Sequence, residues 1–157
     1  KRKAAKRVAS ILNKAEKEMK VPYEMRGMSL AAACTESAFD PTARGDRRIK
    51  NNKRVYMAVG VLQLWPFYEK AYGVNRKDPG SSASGWLRHI KKMIPKVKKQ
   101  CKYKSIKKVW IAAWVTGIRY KKKGGRCKEK PLHLKYFKKL RRSHEAHVSK
   151  STTHSGK

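Results

Sequence analysis

One carboxylate in this chain stands where a proton donor could work. It is Glu36, at the end of the run Ala31-Ala32-Ala33-Cys34-Thr35-Glu36-Ser37-Ala38-Phe39-Asp40-Pro41. Small and apolar residues lead into it, and a serine and an aromatic follow. Pro41 biases Asp40 away from helical dihedrals, and Asp40 itself favours turns, so a helix must stop soon after Glu36. The spacing therefore predicts Glu36 near the C-terminal end of a buried helix. Desolvation and the negative end of the helix dipole would both favour a protonated carboxyl there. A chain that only had to fold gains little from such a group, whereas general acid catalysis near neutral pH requires one. A second isolated polar group is Gln63, in the apolar stretch Val55-Tyr56-Met57-Ala58-Val59-Gly60-Val61-Leu62-Gln63-Leu64-Trp65-Pro66. A buried amide must be hydrogen-bonded, so Gln63 either pins a neighbouring backbone segment or faces a ligand. Asp40 and Asp46 are the other acids near Glu36 in sequence. Asp40 is expected to cap the turn before Pro41, and Asp46 to pair with Arg44, Arg47 or Arg48.

The elements that must position these residues follow from periodicity. Residues 4 to 19 place Ala5, Val8, Ile11, Leu12, Ala15 and Met19 on one helical face, with Lys and Arg on the other. Pro22 opens a new segment, and Met25, Met28, Leu30 and Ala31 to Ala33 predict a more buried helix leading to Glu36. Gly27 weakens its start without stopping it. Residues 42 to 54 carry six basic side chains and no core residue, with Asn51-Asn52 between Arg47–Lys50 and Lys53–Tyr56. Asn tolerates the left-handed dihedrals of a tight turn, so this predicts a short, exposed, basic β-hairpin. Phe67 to Tyr72 read as a short helix stopped by Gly73. Asp78 to Ser82 read as a turn, followed from Ser84 by an amphipathic helix that Pro95 should kink or end. Ser105 is a plausible N-cap for an almost wholly apolar, hence central, helix from Ile106 to Tyr120. Gly124-Gly125 mark a turn, Leu132 to Leu140 a last helix, and the composition after about His144 a frayed tail. No internal repeat and no strand-rich region is visible.

The chain has 157 residues, enough for one domain with a real core. Its 42 Lys plus Arg against 10 Asp plus Glu leave a formal charge of +32, while 39% hydrophobic residues exclude a disordered basic tail. Such a charge demands an anionic partner: nucleic acid, cell wall or anionic membrane. No apolar run approaches the ~20 residues of a membrane span, which predicts a soluble chain. The three cysteines lack zinc-site spacing. Cys34 is expected to pack as a small hydrophobe. Cys101 and Cys127 could pair in an oxidising compartment, but three free thiols are the favoured expectation. No metal or cofactor site is expected.

Several segments resemble one family in order. Glu36-Ser37-Ala38-Phe39-Asp40-Pro41 resembles the Glu-Ser-x-Phe-Asn/Asp-Pro motif of soluble lytic transglycosylases, the goose-lysozyme-like muramidases. Gly60-Val61-Leu62-Gln63-Leu64-Trp65-Pro66 is similar to their Gly-Leu-Met-Gln-Leu-Met-Pro motif. Asp78 to Ile94, Ala113-Trp114-Val115-Thr116-Gly117 and Leu134-Lys135-Tyr136-Phe137 resemble later segments in weaker form. The resemblance runs from about residue 22 to 142. It implies a mainly α, lysozyme-like single domain over residues 1–145, with the β-hairpin beside an active-site cleft and a basic, polar tail over 146–157. It implies cleavage of peptidoglycan between N-acetylmuramic acid and N-acetylglucosamine, in the bacterial envelope, outside the cell or on a phage particle. Glu36 would be the catalytic acid, and Ser37 would orient it or hold the neighbouring backbone. Leu62, Gln63, Trp114, Thr116 and Tyr136 would contact the glycan. Trp114 and Val115 depart from the family's Tyr and Asn.

The mechanism implied by the resemblance matches the scarcity of acids. Glu36 protonates the glycosidic oxygen, then takes the proton of the muramic acid 6-hydroxyl as the sugar closes on itself. No water and no second carboxylate are used, unlike ordinary glycosidases. If Asp40 or Asp46 faces Glu36 across the cleft, a water-using lysozyme becomes the alternative. The charge fits attraction to anionic envelope polymers or membrane surface. It would equally fit a nucleic-acid-binding module, but no base-reading basic helix is visible and no specific nucleic acid is expected. A third alternative is an inactive relative that only binds glycan.

Overall fold

The computed structural model describes residues 2–116 and 137–139. Helix α1 spans Arg2–Glu18 and turns Val8, Leu12 and Ala15 into the core, with its Lys and Arg outward. A 3-10 turn at Tyr23–Met25 leads to α2, Met28–Glu36. The hairpin strands are β1, Arg44–Lys50, and β2, Lys53–Val59. Helix α3 spans Pro66–Tyr72, α4 Pro79–Cys101 and α5 Ile106–Thr116. Among the described residues the protein is thus mainly helical with one small two-stranded antiparallel sheet.

The core lies between helices. Helix α4 packs against both α1 and α5, and α1 also packs against α2. Six consecutive residues of α5, Val109 to Trp114, are buried, so this helix is central, as its apolar composition predicts. Its expected continuation to Tyr120 lies outside the described residues, as do the 146–157 tail and most of the last helix. Phe137 is described: it is buried and meets Trp114 edge-on, with ring centroids 6.4 Å apart. No described helix is long and apolar enough to cross a membrane.

Two boundaries differ from expectation, and at Pro95 one of the two expected outcomes does not occur. Gly27 does interrupt: with φ at 90° it separates the 3-10 turn from α2 and serves as its N-cap. The segment from Asp78 is not a free turn but the start of α4. Asp78 Oδ1 accepts the Ser81 N–H at 2.6 Å and Pro79 takes the first helical position, where its missing N–H costs nothing. Pro95 does not end α4, because Met93 and Val97 on either side of it remain buried and hold the helix to its neighbours. Cys101 is disulfide-bonded and Cys34 is a free thiol, so the expectation of three free thiols fails; Cys127 lies outside the described residues.

The hairpin is as expected but longer. Asn51 and Asn52, at φ 49° and 57°, form the two-residue turn, and pairing runs from Lys50↔Lys53 back to Arg44↔Val59. Positive φ at both central residues is what a type I′ turn requires.

The start of α2 depends on a residue that periodicity alone does not single out. Glu16, 1% exposed, points from α1 into the core. Its carboxylate accepts the Gly27 N–H at 2.6 Å, the Ser29 N–H at 2.7 Å and the Ser29 hydroxyl at 2.6 Å. Burial pushes its carboxyl above the ordinary value of 4.5, against the opposing pull of the Ser29 and Gly27 hydrogen bonds and the Arg26 charge. Replacement by alanine strands three donors, and we expect Glu16→Ala to lower unfolding free energy by about 2–3 kcal/mol in urea titration. A carboxyl with a raised folded value contributes most below its unfolded value and loses that contribution as pH rises through the folded one. Wild type should therefore lose stability relative to Glu16→Gln as pH rises through the range just above 4.5, whatever the constant offset between them.

Candidate active site

Helix α2 ends at Glu36 and the chain reverses at once. Ser37 leaves the helix at φ −143°, and Ala38 and Phe39 both adopt left-handed dihedrals, at φ 52° and 66°. Two consecutive non-glycine residues in that region cost on the order of 1 kcal/mol or more each, so the surroundings must hold them. The Ser37 and Phe39 N–H groups both donate to Ala33 O, at 3.1 and 3.2 Å. Phe39 packs its ring against the core. Asp40 then accepts the Thr42 hydroxyl at 2.7 Å and the Thr42 N–H at 2.8 Å, capping the turn at Pro41 as expected. These bonds, the hydroxyl's foremost, hold the Asp40 carboxyl below its ordinary range.

The second motif forms a tight turn beside this corner. Val59 and Leu64 pair across residues 60–63, exchanging bonds of 3.2 and 3.1 Å. Gly60 has φ 79°, and a Cβ there would run into the Arg76 carbonyl, so only glycine fits. Gln63 is itself left-handed, at φ 46°. Its amide donates to Ala43 O at 3.1 Å and Gly60 O at 2.9 Å, so Gln63 pins backbone. Gly45 completes the fit, because a Cβ at that position would strike Gln63 Oε1.

Ser37 joins the two motifs. Its hydroxyl lies 2.9 Å from Val61 O and 3.2 Å from Ala33 O, the shorter contact spanning 24 positions of sequence. The end of α2, the 60–63 turn and the root of the hairpin at Ala43 therefore form one hydrogen-bonded corner, with Glu36 at its edge. Glu36 is exposed, contrary to the expectation of a buried carboxylate. The helix that carries it is buried along Met28, Ser29 and Ala31 to Ala33, but its last turn emerges from the core.

The other expected contacts divide. Leu62 is buried in the hydrophobic core, as is Trp114, which is 8% exposed and stacks edge-on to Trp86 with centroids 5.7 Å apart. Both replace the expected glycan-facing side chains with core packing, since each lies on an apolar face with apolar neighbours. Thr116 closes the described part of α5, and Tyr136 lies outside the described residues. Asp46 is paired with none of Arg44, Arg47 and Arg48, against expectation. It accepts the Trp65 indole N–H at 2.9 Å, while the Arg48 guanidinium stacks over that ring at 4.9 Å. No group of His, Cys, Asp and Glu suited to a metal occurs among the described residues.

Arg76 is the residue that sequence reasoning missed. Its Nη1 donates to Met57 O at 2.8 Å and Leu64 O at 2.9 Å, tying β2 to the end of the 60–63 turn. Its Nε lies 2.9 Å from Glu69 Oε1, an ion pair without hydrogen-bond alignment. A lone Arg in a turn-rich, basic sequence carries no signal that would single it out. No protein-family model matches this chain, and no curated protein matches it. Because removing Arg76 takes a charged donor from the Met57 and Leu64 carbonyls and an ion-pair partner from a half-exposed Glu69, Arg76→Leu should cost about 2 kcal/mol in chemical denaturation, with the loss concentrated in protection of residues 57–64 from hydrogen exchange.

Proposed function

We propose that the chain is a peptidoglycan lytic transglycosylase of lysozyme-like fold, cleaving the β-1,4 bond from N-acetylmuramic acid to N-acetylglucosamine with Glu36 as acid and then base. One observation carries the reading most directly. The two segments that resemble the family's motifs, 36–41 and 60–66, are hydrogen-bonded to each other through Ser37 and Val61. Each motif also carries left-handed non-glycine residues, Ala38 and Phe39 in one and Gln63 in the other. Strain of this kind collects where a side chain has to be aimed.

Glu36 donates its proton to the glycosidic oxygen. As the bond breaks, an oxocarbenium-like centre forms at the muramic acid C1. The Glu36 carboxylate then removes the proton from the 6-hydroxyl, whose oxygen closes onto C1. The product is a 1,6-anhydro sugar and Glu36 ends protonated, ready for another turnover. Since Glu36 is exposed in the free chain, a glycan lying over the corner has to supply the water exclusion that strengthens these steps. Ser37 and Gln63 act as positioning residues, holding backbone rather than substrate.

The state of the two acids nearest Glu36 in sequence fits ring closure better than hydrolysis. A water-using muramidase needs a second carboxylate as base. Asp40 is committed to Thr42 and Asp46 to Trp65. A disulfide at Cys101 suits an oxidising location, in keeping with an envelope, extracellular or phage-borne enzyme. The charge of +32 suits encounter with the anionic envelope.

Digestion of purified peptidoglycan, with mass spectrometry of the fragments, tests this. Wild type should release anhydro-ended muropeptides, and Glu36→Gln should lower the rate at least ~100-fold, as loss of a general acid does. Reducing-ended fragments would mean hydrolysis, and no fragments from either protein would exclude the enzyme reading.

A further inference from the structure

The β-hairpin does more than border the site. From Arg44 to Arg54 it carries Arg44, Arg47, Arg48, Lys50, Lys53 and Arg54, all exposed, against the single acid Asp46. Lys50 and Lys53 face each other across the Asn51-Asn52 turn. Like charges directly opposite on a ribbon destabilise it, so the free protein gains nothing from this pair. Next to it sits Ile49, 78% exposed and opposite Arg54. Residues two apart share a face, as do cross-strand partners, so Arg47, Ile49, Arg54 and Tyr56 line one side of the ribbon. Arg48 and Asp46 are engaged with Trp65. Tyr56 and Trp65, both partly exposed, stand further from the tip.

We propose that the tip of this hairpin docks on an anionic lipid bilayer, with Ile49 entering the headgroup boundary and the surrounding Arg and Lys pairing with lipid phosphates. Charge complementarity names the sign of the partner, and Ile49 names its kind. A nucleic acid or a wall polyanion would satisfy the cations but would leave an isoleucine in water at the end of the ribbon. A bilayer takes both: basic residues gather at an anionic surface, an aliphatic side chain sinks below it, and aromatic rings settle at headgroup level. The seven residues of β1 span roughly 20 Å, so a docked tip would hold the corner bearing Glu36 off the membrane by about that distance. The proposal stands whether or not the enzyme reading holds.

Sedimentation of the full chain with vesicles tests it, using phosphatidylcholine alone or mixed with phosphatidylglycerol. Wild type should bind the mixed vesicles and not the neutral ones. Ile49→Ser should weaken that binding about tenfold, the share expected for one aliphatic side chain, and Ile49→Leu should restore it. Lys50→Ala and Lys53→Ala should each cost roughly fivefold. Binding to duplex DNA should not change in Ile49→Ser. Because Ile49 is exposed, thermal melts of its variants should match wild type. Unchanged vesicle binding by Ile49→Ser, absence of binding by wild type, or an equal loss of DNA binding in Ile49→Ser would each overturn the proposal, the last making the ribbon a nucleic-acid arm.

Discussion

The fold around the candidate site depends on one buried carboxylate. Helix α2 has nine residues, too few to be stable by themselves, and its N-cap is a glycine with no side chain to offer. The first N–H groups of α2 would be buried without partners. Glu16 supplies the missing acceptor from α1, eleven and thirteen residues earlier in the chain. A charged group favours a helix N-terminus, which offsets part of the cost of burying it. With that end held, α2 has a defined start, and its buried alanines set how it lies on α1.

The other end of α2 is held by different means. Ser37, Gln63 and Arg76 tie helix, turn and strand together through backbone carbonyls at Val61, Ala43, Gly60, Met57 and Leu64. Several left-handed residues are tolerated because the corner is fastened from more than one side. Glu36 emerges at its edge into solvent. The chemistry proposed for it therefore combines a rigid anchor with an exposed acid, and a bound glycan would have to supply the dry environment that general acid catalysis needs. An enzyme acting on a long polymer can work this way, since the polymer itself covers the site.

Charge organises the outer surface in a different manner from the core. Among the described residues, most basic side chains sit on helices, where solvent and salt screen those that face outward. The hairpin differs, because it concentrates like charges on a narrow ribbon and adds an exposed isoleucine. Asp46 and Trp65 brace its root, with Arg48 stacked on the indole. The result is a basic arm whose base shares the Ala43 carbonyl with the candidate active corner.

Local chemistry made much of this legible. Apolar spacing set α1, continuous apolarity marked α5 as central, Asn51-Asn52 set the hairpin turn, Gly73 ended α3, and Asp40-Pro41 announced a chain turn soon after Glu36, although the helix itself ends earlier, at Ser37. These features depend on neighbours a few residues away, and so a sequence can state them. What only the tertiary structure decided depends on distant partners. Glu16 reads as one more polar residue of an amphipathic helix until α2 packs across it. Arg76 has no local signal because its partners lie in β2, α3 and the turn between them. Leu62 and Trp114 turned inward into the apolar cluster, and Glu36 turned outward because the last turn of α2 leaves the core. Residue type and spacing determined which groups were available; burial and long-range hydrogen bonding decided which way each one faced.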